Sequence, residues 1–160
     1  MYKLPKNEQT NVSLYSNALM LLTSVHHVYG AIRYHTPWRM HVLLLSVPVL
    51  IITIILDRVI KQKGMTVKSV WSWIYCSIIF LAAIVMIGSY EGLYNHLLKN
   101  ILYFGGLSAA HMSMLFPPAM YEMPDDIFFE VTGVLQGIVV IPLGIYFVRM
   151  IRQGMMKLPA

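Results

Sequence analysis

The chain has 160 residues, of which 58% are hydrophobic and only 12% are charged, and its formal net charge is +5. This composition is typical of an integral membrane protein and excludes a disordered or highly charged soluble chain. In a soluble domain the positive charge would favour nucleic acid, but here the basic residues flank apolar segments, so no nucleic-acid partner is expected.

Four apolar segments have about the 20 residues that a helix needs to cross a bilayer. They cover residues 14–34, 41–60, 70–90 and 127–150. The sequence therefore predicts an all-α integral membrane protein in which residues 1–160 form a single domain of four transmembrane helices in the lipid bilayer. The first segment contains Ser24, His26 and His27 and lacks a small-residue cleavage pattern, so we expect it to be retained as a helix.

Basic residues near the ends of the spans predict the orientation. They concentrate between the second and third spans and in the C-terminal tail: Arg58, Lys61, Lys63, Lys68, Arg149, Arg152 and Lys157. Because basic residues accumulate in cytoplasmic segments, both termini are predicted to be cytoplasmic. The connections 35–40 and 91–126 are then predicted to lie outside.

The connection 91–126 is predicted to form a cap between the third and fourth helices. Its first part, EGLYNHLLKNILYF, has apolar residues at helical spacing, which indicates that the third helix extends or bends along the membrane surface as an interfacial helix. Gly105 and Gly106 are expected to interrupt this helix, and FPPAMYEMPDD is too rich in proline to continue it. Asp125 or Asp126 is expected to cap the N-terminus of the fourth helix.

Polar residues concentrate on the predicted outer side, which holds all six histidines and most of the acidic residues. On the first helix they recur at spacings of three, four and seven and form one stripe: Thr23, His26, His27, Gly30, Arg33 and Tyr34. Polar groups facing lipid are costly, so this stripe is expected to point into the bundle. Gly133 and Gly137 form a small-xxx-small pattern that would let another helix approach the face bearing Glu130.

These residues predict an outward-opening pocket between the first, third and fourth helices, and a transition-metal site is the leading interpretation. Imidazole and carboxylate ligands together suit zinc, iron or copper. The candidate ligands are His26, His27, Glu91, His96, His111 and Glu130, and Tyr29, Arg33 and Asn95 are expected to complete the pocket. Successive side chains on a regular helix are about 100° apart, so only one of His26 and His27 is expected to face the metal.

The identity of the metal is not fixed by the pattern. The segment HMSMLFPPAMYEM combines His111 with four methionines, and imidazole with thioether ligands would favour copper(I), although methionine is also a common apolar filler. A b-type haem is disfavoured because the other helices offer no histidine in the hydrocarbon core to face His26 or His27.

Two other interpretations of the pocket stay open. It could work without metal, as a proton relay or as a quinol or small-molecule site. Alternatively, the chain could be an accessory or assembly subunit that packs into a larger membrane complex or a homo-oligomer. The lone Cys76 excludes an intrachain disulfide, and no phosphate-binding loop or standard hydrolase motif is present, so the sequence does not decide whether the protein is an enzyme.

Overall fold

The computed structural model describes residues 6–66 and 69–154, which are helical and contain no β-strand. The elements in order are α1 (Lys6–Arg33), a 3₁₀ helix (Pro37–Val42), α2 (Leu43–Lys63), α3 (Val70–Ile78), a π-helix (Ile79–Leu98), α4 (Lys99–Phe104), α5 (Ala109–Leu115) and α6 (Ile127–Gly154). Because α3, the π-helix and α4 follow one another without a break, we call them together the third long helix.

Among the residues that the structure describes, three helices are long and apolar enough to cross a membrane, namely Pro37–Lys63, Val70–Phe104 and Ile127–Gln153. This agrees with the prediction of a membrane protein. The first predicted span, 14–34, lies in α1, which is not among the three because Asn17, His26 and His27 interrupt its apolar run. The count of four spans therefore stays a prediction. The orientation also stays a prediction. Two of the basic residues on which it depends lie outside the described residues, namely Lys68 and Lys157.

The third long helix corrects the predicted boundary between span and cap. The sequence placed residue 91 at the start of the cap, but the helix continues to Phe104, because no proline and no pair of adjacent glycines occurs between residue 91 and Gly105. Gly106 has a φ of 83°, a left-handed conformation that glycine adopts without strain, so the predicted interruption is confirmed. Glu91, Asn95 and His96 consequently lie on a bundle helix, and the cap is reduced to residues 105–126.

The start of α6 is also as predicted. The Phe129 N–H donates to Asp126 Oδ1 at 2.9 Å, so Asp126 is the N-cap.

Glycines allow α6 and the π-helix to pack with their backbones in contact. A methyl group on Gly92 would overlap the backbone of Gly137, and one on Gly133 would overlap the imidazole of His96. The small-xxx-small pattern of Gly133 and Gly137 thus provides the close approach that it predicted. Because α6 also packs along α1, it brings α1 and the π-helix together at the level of His96.

The apolar core fills the other end of the bundle. It includes Leu19, Met20, Leu56, Ile60, Tyr75, Ile79, Leu143, Phe147 and Met150. The end of the bundle that contains His26 and Glu130 has buried polar groups in place of such a core.

Candidate metal centre

The π-helix determines which residues of the third long helix face the bundle. In an α-helix, residues five apart point about 140° away from one another. A π-helix instead pairs residues five apart through its backbone hydrogen bonds, so they lie nearly above one another. Glu91 and His96 are five apart in this segment, and their side chains meet, with Glu91 Oε1 3.5 Å from His96 Nε2.

Glu130 of α6 orients the His96 ring. Its Oε2 lies 3.2 Å from His96 Nδ1 and its Oε1 lies 3.0 Å from Lys99 Nζ. A carboxylate accepts hydrogen bonds, so His96 carries a proton on Nδ1, and in the neutral ring Nε2 then presents a lone pair to Glu91. Histidines that bind metal commonly donate the N–H of their other ring nitrogen to a carboxylate in this way.

Thr132 orients the ring of His26. This ring is fully buried and stacks on Phe129, with 4.1 Å between ring centroids. The Thr132 hydroxyl donates its one proton to the carbonyl of Phe128, at 2.8 Å. It must therefore accept from His26 Nδ1, which lies 2.9 Å away. His26 Nε2 is then an unprotonated lone pair, and it has no hydrogen-bond partner.

The Glu91 carboxylate lies where these two lone pairs converge. Its Oε2 accepts a hydrogen bond of 2.7 Å from the Asn95 side chain. Its Oε1 is 3.9 Å from His26 Nε2, 3.5 Å from His96 Nε2 and 3.4 Å from His27 Nε2. All three separations exceed the usual 2.7–3.2 Å of an N–H···O hydrogen bond.

The same separations fit ligands that share a metal ion. In a tetrahedral site with bonds of about 2.0–2.1 Å, neighbouring ligand atoms are about 3.3 Å apart. One ligand atom each from His26, Glu91 and His96 lie within 4.8 Å of one another. These three residues therefore form a buried group that could hold a metal ion.

His27 lies beside this group and completes what we call the Glu91 cluster: His26, His27, Glu91 and His96. Its ring makes an edge contact with that of His26, with centroids 5.2 Å apart, and its Nδ1 has no hydrogen-bond partner. Both neighbouring histidines thus approach one carboxylate oxygen, although only His26 is in the three-residue group.

Other residues predicted for the pocket lie elsewhere. Arg33 Nε and the Tyr29 hydroxyl both donate to Asp126 Oδ2 at 3.0 Å, and so connect α1 to the start of α6. His111 is exposed on α5 and lies 2.7 Å from the Ser108 hydroxyl. It is not part of the Glu91 cluster, because the proline-rich segment after α5 keeps that helix on the surface.

Sequence reasoning missed Thr132, Arg39 and Lys99. Lys99 is almost fully buried, and donates to Glu130 and, at 2.7 Å, to the Glu122 carbonyl. Arg39 is also buried, with its Nη2 3.3 Å from Glu122 Oε1. A polar residue two positions after Glu130 in an apolar helix was a signal for Thr132, whereas no sequence signal distinguished the buried Arg39 from the exposed Arg33.

A cavity of about 160 Å³ adjoins the Glu91 cluster. Glu91, His96 and His27 form part of its wall, whereas His26 is not among its lining residues. The three-residue group therefore has one side closed by protein and another side that faces open space.

Comparison with known proteins gives no further indication of function. No protein-family model, curated protein or solved structure matches the chain.

Proposed function

We propose that this chain is a membrane protein with a mononuclear divalent metal centre whose protein ligands are His26, Glu91 and His96. One observation carries the proposal: two imidazole rings, each bonded through Nδ1 to a residue of α6, bring their Nε2 atoms to 3.9 and 3.5 Å from one carboxylate oxygen, close to the separation of co-ligands. Bound metal would also satisfy His26 Nε2, which is otherwise a buried acceptor without a partner.

The ligand set favours zinc or iron(II). Two histidines and one carboxylate with an open position are used by catalytic zinc sites and by non-haem iron(II) sites. Copper(I) would need the thioether segment around His111, but that histidine is exposed and bonded to Ser108. Three protein ligands beside a cavity are typical of a catalytic rather than a structural centre, so we propose an enzyme.

The membrane setting of this centre includes α1 as a fourth span. Its exposed apolar residues Leu14, Leu21, Val25 and Ile32 follow one another at spacings of seven, four and seven, which forms a stripe on one face. Its polar residues point inward, as expected of a helix with lipid on one side and a polar site on the other. We propose further that the termini are cytoplasmic and the centre lies on the outer side.

A metal-free quinol site is the second candidate. A largely apolar groove of about 540 Å³ runs beside α6, and Asn100 and Glu130 lie among the residues that line it. Because Glu130 also bonds His96, a ring bound there would lie close to the Glu91 cluster.

Association with a larger membrane complex or with further copies of the chain stays a prediction.

Metal content tests the proposal. The protein would be purified in mild detergent without a histidine tag or chelator, and zinc, iron and copper would be measured per chain. We expect about one zinc or iron in the wild type. The Glu91→Gln and His96→Asn variants should lose it, because each removes one of three ligands. His111→Asn is the matched control and should retain it.

The measurement also separates the candidates. A folded wild type without metal, including after incubation with zinc or iron(II), would overturn the metal centre and favour the quinol site. Loss of metal in His111→Asn, or one copper per chain that depends on His111, would instead place the metal outside the Glu91 cluster.

A further inference from the structure

Charged residues of both signs line the cavity beside the Glu91 cluster. Two buried cations line it, Arg39 from the 3₁₀ helix and Lys99 from the start of α4. Three carboxylates balance them. Glu122 pairs with Arg39 at 3.3 Å, Glu130 pairs with Lys99 at 3.0 Å, and Glu91 has only the Asn95 amide and the histidines.

These charges do not cancel once a metal is present. With neutral histidines, three carboxylates and two cations leave a net charge of −1, and a divalent ion changes it to +1. An uncompensated charge in a largely buried site is costly, so the metal-bound site favours a monovalent anion. This argument rests on the metal centre proposed above.

The cavity limits the size of that anion. A cavity of roughly 150 Å³ holds a molecule the size of benzene, so a volume of about 160 Å³ accommodates about five or six non-hydrogen atoms. A hydroxide on the metal would neutralise the charge but would leave most of this volume to other molecules.

The wall also offers a hydrogen-bond donor. The hydroxyls of Tyr90 and Tyr121 lie 2.9 Å apart, and since one donates to the other, the accepting phenol retains its own proton for a ligand. Burial, together with the hydrogen bond to Tyr90, raises the pKa of Tyr121, so this phenol keeps its proton near neutral pH.

We propose that the cavity binds a small carboxylate-type anion, of up to about six non-hydrogen atoms, as the exogenous ligand of the metal. The anion would occupy the open coordination position between His96 and the cavity. Arg39 and Lys99 would attract it, and the phenol pair would donate to its second oxygen. The substrate class of the proposed enzyme is then a short-chain carboxylate or hydrogencarbonate, rather than a long amphiphile.

Cobalt-substituted protein tests this inference, because the visible spectrum of cobalt(II) changes when its ligands change. Cobalt per chain would be measured first, and the protein would then be titrated with acetate and, separately, with acetamide. These two probes have nearly the same shape and differ in charge. We expect acetate to shift the spectrum saturably and acetamide to bind at least about tenfold more weakly, which corresponds to the loss of one buried charge interaction.

Two arginine variants locate the effect. Arg39→Gln should retain cobalt and lose about tenfold or more in acetate affinity, since it removes a cation from the cavity wall. Arg33→Gln is the matched control, because its side chain is exposed and pairs with Asp126 outside the cavity. Val42→Phe, which fills the cavity from its wall, should block acetate while cobalt stays bound, and it replaces Arg39→Gln if that variant fails to fold.

The outcomes of the two proposals are distinguishable. Protein that binds cobalt but shows no response to acetate, or an equal response to acetamide, would overturn the anion site and leave the metal centre intact. Protein that folds and binds no cobalt would overturn both.

Discussion

Two carboxylates of the bundle, the buried Asp57 and the half-buried Glu91, have different surroundings. Asp57 of α2 accepts from the Gln9 amide on Oδ1, at 2.9 Å, and pairs through Oδ2 with Lys61, at 2.7 Å. Both of its oxygens are therefore satisfied by donors within the chain. Glu91 has one oxygen bonded to Asn95, while the other is surrounded by histidine nitrogens beyond hydrogen-bond distance.

Under the proposed function, Asp57 has a structural role and Glu91 is a metal ligand. A buried anion is stable when donors or cations neutralise it, and Asp57 has both. Glu91 faces two imidazoles that are bonded through Nδ1 to Thr132 and Glu130. The cluster thus offers a carboxylate oxygen and two imidazole nitrogens that could hold one cation, which is the arrangement on which the proposed metal centre rests.

The largest effect expected is the loss of metal in Glu91→Gln, compared with Asp57→Asn. Replacing a ligand carboxylate with an amide should reduce metal affinity beyond the roughly 10–100-fold typical of outer contacts. Asp57→Asn should leave the metal content unchanged, because Asp57 lies at the other end of the bundle. Metal per chain would be measured for both variants after equal dialysis, and equal losses would contradict the distinction between the two carboxylates.

Gly133→Ala tests whether close packing of α6 positions His96. The added methyl would overlap the imidazole, so we expect a loss of about 1–3 kcal/mol in the free energy of unfolding, together with weaker metal binding. Gly144→Ala is the control on the same helix, because a methyl there meets no atom within 4 Å. It should be neutral or stabilise by up to about 1 kcal/mol.

Thermal unfolding in detergent and metal content would be measured for both glycine variants. Full metal binding by Gly133→Ala would show that His96 does not depend on this contact.

Thr132→Val tests whether an outer contact orients His26. Valine keeps the shape but removes the acceptor for His26 Nδ1, so the metal affinity should fall about 10–100-fold. Thr53→Val is the control in α2, where the hydroxyl donates to Asn17 at 3.0 Å, away from the Glu91 cluster. Both variants should lose some stability, but only Thr132→Val should lose metal affinity, as measured by competition with a chelator of known affinity.

Much of this arrangement followed from sequence patterns. Lengths of apolar runs predicted the second and fourth helices to within a few residues, and the Asp126 cap and the interruption at Gly105 followed from local backbone chemistry. Polar residues on an otherwise apolar first helix indicated a site inside the bundle, since lipid would not tolerate them. The structure places His26 in the group that could hold a metal ion, and Glu130 beside that group, bonded to His96.

The meeting of Glu91 with His96 could not be predicted from α-helical spacing, which sets residues five apart on different faces. It depends on the π-helix, which no residue pattern in this segment indicated. The burial of Lys99 follows from the same continuation of the helix into the predicted cap. The methionine and histidine content of the segment around His111 also made it look more suited to metal binding than it is, because composition alone does not show whether a side chain faces the bundle.

The smallest expected effect is that of replacing Asp126, a third carboxylate. Like Asp57, it accepts hydrogen bonds on both oxygens, although it lies one helical turn from Glu130. The Phe129 N–H that donates to it holds the pKa of its carboxyl below the usual range, and Arg33 and Tyr29 contribute as well. A carboxyl with a lowered folded-state pKa stabilises fully above its unfolded pKa of about 3.9, and this contribution is lost as the pH falls through the folded value.

Asp126→Asn, which can still cap α6, should therefore unfold at a slightly lower temperature than the wild type near pH 6, and the difference should narrow below about pH 4. Its metal content should be unchanged, because Asp126 has no contact with the Glu91 cluster among the described hydrogen bonds and ion pairs. Thermal unfolding at several pH values checks the first expectation, and elemental analysis checks the second. A variant that kept its stability but lost its metal would place Asp126 with Glu91 rather than with Asp57, and would extend the site towards the start of α6.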